Sequence, residues 1–198
     1  LQQLLKRFDI PVYTKQGTWR EIQDKLIVPK HQLVELTKGS LELGNLTVES
    51  FGVSHDAADP IGINVYSGKD KATVVTDTGV ITDDILHRLD DSTLLVLEAN
   101  YDPQMLRFGP YQPFLKQRVA SDEGHLSNEM AAQALLMMKR PDFMQVILAH
   151  RSENNNNAVL VTQTIGKMLV DGGVRIGPEM KLQHGQPNEI VSMQSIKR

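Results

Sequence analysis

Two periods alternate along this chain. Leu1, Leu4, Leu5 and Phe8 recur at helical spacing and predict a helix at its start, followed by a short strand over 10–14. Thr18 and Glu21 stand in T-x-x-E spacing, a capping-box pattern that predicts a helix from Thr18 to about Leu26. Apolar runs over 33–36 and 41–43 flank a Lys-Gly-Ser turn. Alternation over 46–53 shifts between Val48 and Phe51, which predicts a strand with a bulge. Residues 61–66 and 72–76 read as a hairpin around Ser67-Gly68-Lys69-Asp70, and a Thr82-capped helix over 83–89 precedes an apolar strand over 94–97. Pro103, Gly109 and Pro110 make 101–111 read as irregular. Ser127 or Asn128 then caps a helix running to Arg140, 143–149 reads as a strand, and a helix over 158–171 ends at Gly172-Gly173. Val174 to Ile176 opens a last strand pair, and 183–198 reads as a polar tail. Strands interleaved with helices give a single domain over 1–198 of an α/β layered fold.

Composition removes whole classes of chemistry. The 198 residues contain no cysteine, so disulfides, thiolate metal sites, iron–sulfur clusters and cysteine nucleophiles are out. No apolar run reaches the roughly 20 residues that span a bilayer, and no signal-peptide pattern is present, which makes a cytoplasmic protein with no membrane role the default. A net charge of -3 argues against a protein that coats nucleic acid by bulk charge. It leaves room for an enzyme acting on phosphates with bound cations, whose charge composition does not count. The chain begins inside an uncapped helix, which predicts that the natural sequence continues upstream.

Polar residues with metal-ligating chemistry follow the apolar strands. The strand over 46–53 leads to Ser54-His55-Asp56, the 72–76 strand to Asp77-Thr78-Gly79, the 94–97 strand to Glu98-Ala99-Asn100 and the 143–149 strand to His150. Imidazole and carboxylate together suit zinc or manganese, and layered α/β folds bind ligands beyond strand ends. Each such residue taken alone reads as a turn former or a hydrogen-bonded surface group; four together point to a site. His31, His87 and His184 stand in polar surroundings and receive no role.

The run Phe51-Gly-Val-Ser-His-Asp-Ala-Ala-Asp-Pro, then Thr76-Asp-Thr-Gly, Leu97-Glu-Ala-Asn-Tyr-Asp, Met105-Leu-Arg-Phe-Gly, Leu115-Lys-Gln-Arg, Gly124-His-Leu-Ser-Asn and Leu148-Ala-His-Arg-Ser-Glu-Asn-Asn resembles the YycJ/WalJ family. These are metallo-β-lactamase-fold hydrolases, related more distantly to tRNase Z. The resemblance extends from about Tyr13 to Leu182. It implies an αββα sandwich carrying two divalent metal ions, zinc or manganese, at one edge of its sheets. The family's H-x-H-x-D-H motif would stand upstream of Leu1, so the resemblance implies a chain lacking roughly the first third of the fold, inactive and poor at holding metal by itself. It implies His55, Asp77 and His150 as metal ligands, with Asp77 bridging both ions, His125 as the mobile histidine that meets the scissile phosphate, and Glu98 as the acid that orients it. Two departures stand out: Asn100-Tyr101-Asp102 where the family has Asn-His-Asp, and His150-Arg151-Ser152 where it has His-Leu-Ser. The second reads as a tolerated change in a loop.

The activity so implied is phosphodiester hydrolysis by a hydroxide activated between two metals, in a DNA exonuclease whose partner is nucleic acid. His125 precedes the helix start at Ser127-Asn128, where free backbone N–H groups favour an anion; its bland reading is as part of the cap. Arg107, Lys116 and Arg118 are candidates to grip the nucleic-acid backbone. Tyr111 and Phe114 could stack on bases, although packing of the loop is the plainer use. Two alternatives remain: a small-molecule ester, thioester or cyclic-phosphate hydrolase on the same fold, and a non-catalytic regulatory module. An open groove beside the cations would favour the polymer, a closed cavity the small molecule.

Overall fold

Short amphipathic segments open the chain. The computed structural model describes residues 1–37, 39–186 and 189–191. Helix α1 (Gln2–Arg7) leads into β1 (Val12–Thr14), α2 (Gln16–Ile22) and β2 (Leu33–Glu35), and β1 and β2 pair in parallel as a separate two-stranded sheet. The expected capping box does not form: α2 starts behind Lys15 and Thr18 lies inside it. A tertiary contact takes the side chain instead, for the Thr18 hydroxyl donates to the Asp59 carbonyl (3.2 Å) and the Gly17 N–H to the Asp59 carboxylate (3.3 Å).

Seven strands then build the main sheet: β3 (Ser40–Leu43), β4 (Leu46–Gly52), β5 (Ile61–Ser67), β6 (Asp70–Val75), β7 (Leu94–Glu98), β8 (Met144–Ala149) and β9 (Met180–His184). Their order across the sheet is their order in the chain. The first half, β3 to β6, is an antiparallel meander; β6 to β9 are parallel and need crossovers. Those crossovers carry α3 (Asp83–Leu89), the short pair α4 (Pro103–Phe108) and α5 (Pro113–Val119), then α6 (Asn128–Met137), and α7 (Ala158–Asp171).

Several expectations are corrected. The strands over 33–35 and 40–43 belong to different sheets, and Lys38 of the turn read between them lies outside the described residues. Strand β4 has no bulge, because it pairs one-to-one with β5 from Thr47↔Tyr66 to Gly52↔Ile61. Its alternation shifts because both faces of the sheet carry apolar residues. The stretch read as irregular contains α4, started by Pro103 at its first turn and capped by Asp102, whose carboxylate accepts from the Gln104 and Met105 amides. Helix α6 ends at Met137, before Arg140, whose Nη1 donates to the freed Leu135 and Leu136 carbonyls. Val174 to Ile176 forms no strand; Ile176 makes a single bridge to Met180. Of the expected tail, Gln183 and His184 belong to β9, and residues 187–188 and 192–198 lie outside the described residues.

Helices α3, α6 and α7 cover one face of the sheet. Leu89, Ala131, Leu135, Ile165 and Leu169 pack there against Val75, Leu95, Leu97 and Val146, all sealed from solvent. Burial of each large side chain contributes about 1.5–3 kcal/mol. On the opposite face Ile63, Val74, Val96 and Ile147 stand in register as an apolar row that stays partly exposed, Val74 at 39%. Beside the small β1–β2 sheet, the described residues thus give one seven-stranded sheet with one helix layer against it. No helix among them is long and apolar enough to cross a membrane.

Strand direction places the chemistry. Strands β6, β7 and β8 are parallel, and β4 runs the same way because two antiparallel pairings separate it from β6. The residues after β4, β6 and β8, together with the last residue of β7, therefore meet along one sheet edge. These are His55, Asp77, His150 and Glu98.

Candidate metal and phosphodiester site

The loops at that edge are tied to one another before any ligand is considered. The Ser54 amide donates to Thr78 Oγ1 (3.3 Å), the Gly79 amide to the Ser54 carbonyl (2.9 Å) and the Asp56 amide to the Glu123 carbonyl (3.1 Å). Gly79 is required by close approach: a Cβ there would stand 2.2 Å from the Ser121 carbonyl oxygen. The His125 amide donates to the Val119 carbonyl and the Asn100 amide to the Leu126 carbonyl, which seats the 120–127 loop on the strand ends.

Glu98 is the centre of the cluster. Its side chain has no solvent exposure, and Oε1 lies 2.7 Å from the Nδ1 atoms of both His125 and His150. Oε2 accepts from the Thr78 amide (3.1 Å) and the Leu126 amide (3.4 Å). Burial alone would push the carboxyl up, but the two imidazoles and the Thr78 amide outweigh it and hold Glu98 below the ordinary glutamate range. The hydrogen bond to Glu98 in turn raises His150, with burial opposing and the charges of Glu98 and Asp77 adding to the rise. A carboxylate only accepts, so both histidines present Nδ1–H to it and keep Nε2 free. His55 Nδ1 donates to the Gly124 carbonyl (3.1 Å), which leaves its Nε2 3.6 Å from Asp77 Oδ1. The same Asp77 oxygen is 3.6 Å from His150 Nδ1.

Two of these residues adopt left-handed backbone conformations, Asp77 at φ 57° and His150 at φ 51°. Non-glycine residues there cost about 1–2 kcal/mol, and such strain gathers where side chains must be aimed. The Asn100 side chain holds the turn by donating to the His150 carbonyl (2.8 Å).

The structure therefore brings together all five residues singled out in the sequence: His55, Asp77, Glu98, His125 and His150. It adds one feature that the sequence did not carry. His125 falls within ligand distance in two groupings, His55–Asp77–His125 and Glu98–His125–His150, each with its donor atoms within 4.8 Å. The cleft above them has a volume of about 420 Å³ and is walled also by Tyr111, Arg118 and Arg151.

The three candidate cations part company. Arg118 lines the cleft but is engaged in a two-pronged pair with Asp56, whose carboxyl it holds below the usual aspartate range. Lys116 donates to the Arg107 carbonyl (2.8 Å), and the Arg107 guanidinium lies over the Phe108 ring; neither walls the cleft. Phe114 is 70% exposed and not packed into its loop. Sequence reasoning passed over the buried amides that join the two histidine loops. Asn128 and Asn156 exchange reciprocal side-chain bonds (3.2 and 2.8 Å), and Asn156 also donates to the Ala99 carbonyl. The signal was present in four successive asparagines, 154–157, ahead of a helix.

A family model described as "Beta-lactamase superfamily domain" matches residues 1–150. The chain is also 31% identical over 195 residues to an exodeoxyribonuclease YycJ of Bacillus anthracis, covering 98% of this chain and 74% of that one. The chain belongs to this family. A second YycJ/WalJ relative, the exodeoxyribonuclease WalJ of Streptococcus pneumoniae, is 29% identical with 98% and 73% covered. Among solved structures, the metallo-β-lactamase-fold protein YhfI of Bacillus subtilis superposes with a TM-score of 0.64 at 12% identity. That match covers 93% of this chain but 66% of YhfI, just under two thirds of its length, and at such identity it bears on the fold alone.

Proposed function

We propose that this chain carries a phosphodiester-hydrolysing site of a DNA exonuclease. The observation that supports this most directly is the convergence of His55, Asp77, His125 and His150 around the buried Glu98, in an open cleft at the edge of the sheet. The donor set fits divalent metal: imidazole nitrogen and carboxylate oxygen suit zinc or manganese, and His55 Nε2 stands 3.6 Å from Asp77 Oδ1, a separation across which two groups can share an ion. His55, Asp77 and His150 would hold two ions, Asp77 being the shared ligand because a carboxylate offers two oxygens. In such a site divalent ions supply an activated water and neutralise phosphate charge.

The remaining work falls to side chains. Glu98 holds His125 by its Nδ1 and turns Nε2 toward the cleft; with both nitrogens protonated, the Nε2–H can hold a phosphate oxygen or pass its proton to the leaving oxygen. Tyr111 in the cleft wall and exposed Phe114 offer aromatic faces to bases. DNA as the substrate is supported by the two relatives named exodeoxyribonuclease.

The test is turnover of 5′-phosphorylated duplex DNA by the complete protein, paired with metal analysis. His125→Ala is expected to lose about 10²- to 10⁴-fold in rate while keeping its metal. Asp77→Ala is expected to lose metal and activity together. Loss of metal in His125→Ala would make His125 a ligand, as the His55–Asp77–His125 grouping allows. Intact DNA after incubation with the metal-loaded protein would overturn the nuclease reading.

A further inference from the structure

A second cavity of about 620 Å³ opens on the far side of the loop that carries His150. His150, Arg151, Ser152 and Glu153 wall both this cavity and the cleft over the histidines. Beyond them it is lined by Ala149, Ala158 and Gly185 and by Asn156, Asn157 and Gln186, of which Asn156 is taken up by Asn128 and Ala99. Arg151 stands at the junction. Its Nη1 is sealed from solvent and has no hydrogen-bond partner, and no carboxylate among the described residues pairs with its guanidinium. That sets it apart from Arg118, bound to Asp56, Arg175, bound to Glu179, and Arg140, bound to two carbonyls. Its charge is felt nearby: burial first, then the Arg151 charge, hold His184 at the end of β9 below the ordinary histidine range. Arg151 as a whole is only half-buried and lines both cavities, no carboxylate among the described residues holds its fork, and a planar guanidinium matches a phosphate. Glu153 on the same wall is exposed, so its carboxylate is free to face solvent.

We propose that Arg151 and this cavity form a second backbone-phosphate subsite, taking the phosphodiester next to the one cleaved. The proposal rests on the nuclease reading and deepens it: the strand would run from the histidine cluster across the 150–153 loop, with Arg151 gripping the following phosphate and the exposed Gln186 side chain meeting its sugar or base. The grip expected of Arg107, Lys116 and Arg118 passes to the one residue of the His-Arg-Ser turn that the sequence treated as neutral.

The test is binding of 3′-fluorescein-labelled, 5′-phosphorylated trithymidylate by fluorescence anisotropy in Ca²⁺ buffer, with thymidine 5′-monophosphate as competitor. Arg151→Leu is expected to weaken trithymidylate binding about 10-fold and to lower the slope of log K against log salt by about 0.7, the value for one single-strand phosphate contact. Affinity for the mononucleotide should not change. Arg151→Lys, which keeps the charge, should keep the slope, as should Lys167→Leu on the far end of α7. Unchanged affinity and slope in Arg151→Leu with a wild-type melting temperature would overturn the subsite and leave the nuclease reading standing. An equal loss for mononucleotide and trithymidylate would also overturn it. Wild-type protein binding trithymidylate no better than the mononucleotide would remove the nucleic-acid reading, and the subsite with it.

Discussion

A carboxylate sealed from water stays ionised only while donors surround it, and Glu98 has four. Removing it leaves two imidazoles and two amides without an acceptor, so Glu98→Ala is expected to lower stability by about 3–5 kcal/mol in urea unfolding. Glu98→Gln, which retains one accepting oxygen, should lose less but misdirect one histidine. Asp77 separates strain from chemistry. At φ 57° a glycine is at ease and an alanine is not, so Asp77→Gly should be more stable than Asp77→Ala by about 1 kcal/mol, with both failing to hold metal. Single residues of this kind were legible in the sequence because each follows an apolar strand. Their partners were not: nothing in the spacing tells that Glu98 serves two histidines or that Arg118 is taken by Asp56, since both pairings depend on loops that bring together residues 27 to 62 positions apart.

Elements with a pure period, such as α3 and α7, match the sequence reading to the residue, because capping by Thr82 and Asn157 agrees with their apolar faces. The short helices around the cleft do not. A proline reads as a breaker unless it opens a helix, as Pro103 does behind Asp102, and the capping spacing at Thr18 was overridden by Asp59. The turn after β6 gives a direct test of loop packing. Gly79→Ala would force Ser121 and Asp122 outward and is expected to cost about 1–3 kcal/mol and loosen the His125 loop, read as faster amide exchange over 120–127. At the other end of the edge, β9 carries a pH dependence. His184 bonds Thr162 through Nε2, its Nδ1 is buried without a partner, and Arg151 is the charge beside it. Its folded value lies below its unfolded one, so as pH falls below about 6.5 the unfolded chain takes up the proton first and stability declines. The decline should level off below the folded value, and His184→Gln should flatten it in urea midpoints measured from pH 7.5 to 5.

For the whole molecule, the uneven treatment of the two sheet faces matters most. Ile63, Val74, Val96 and Ile147 form an apolar row that helices do not cover, so this chain is expected to self-associate with rising concentration, and Val74→Lys should reduce that association in sedimentation velocity. The strictly sequential strand order has a consequence for how the molecule is assembled in time. The meander β3–β6 closes short loops, whereas each later strand must wait for a helical crossover. His55 and Asp77 belong to the part that can form early. His150 arrives only with β8, after the longest crossover of the sheet, and Glu98 gains its second imidazole only then. Refolding followed by strand-specific hydrogen exchange should therefore show β4–β6 protected first, and the histidine cluster maturing as one of the last events on the folding pathway.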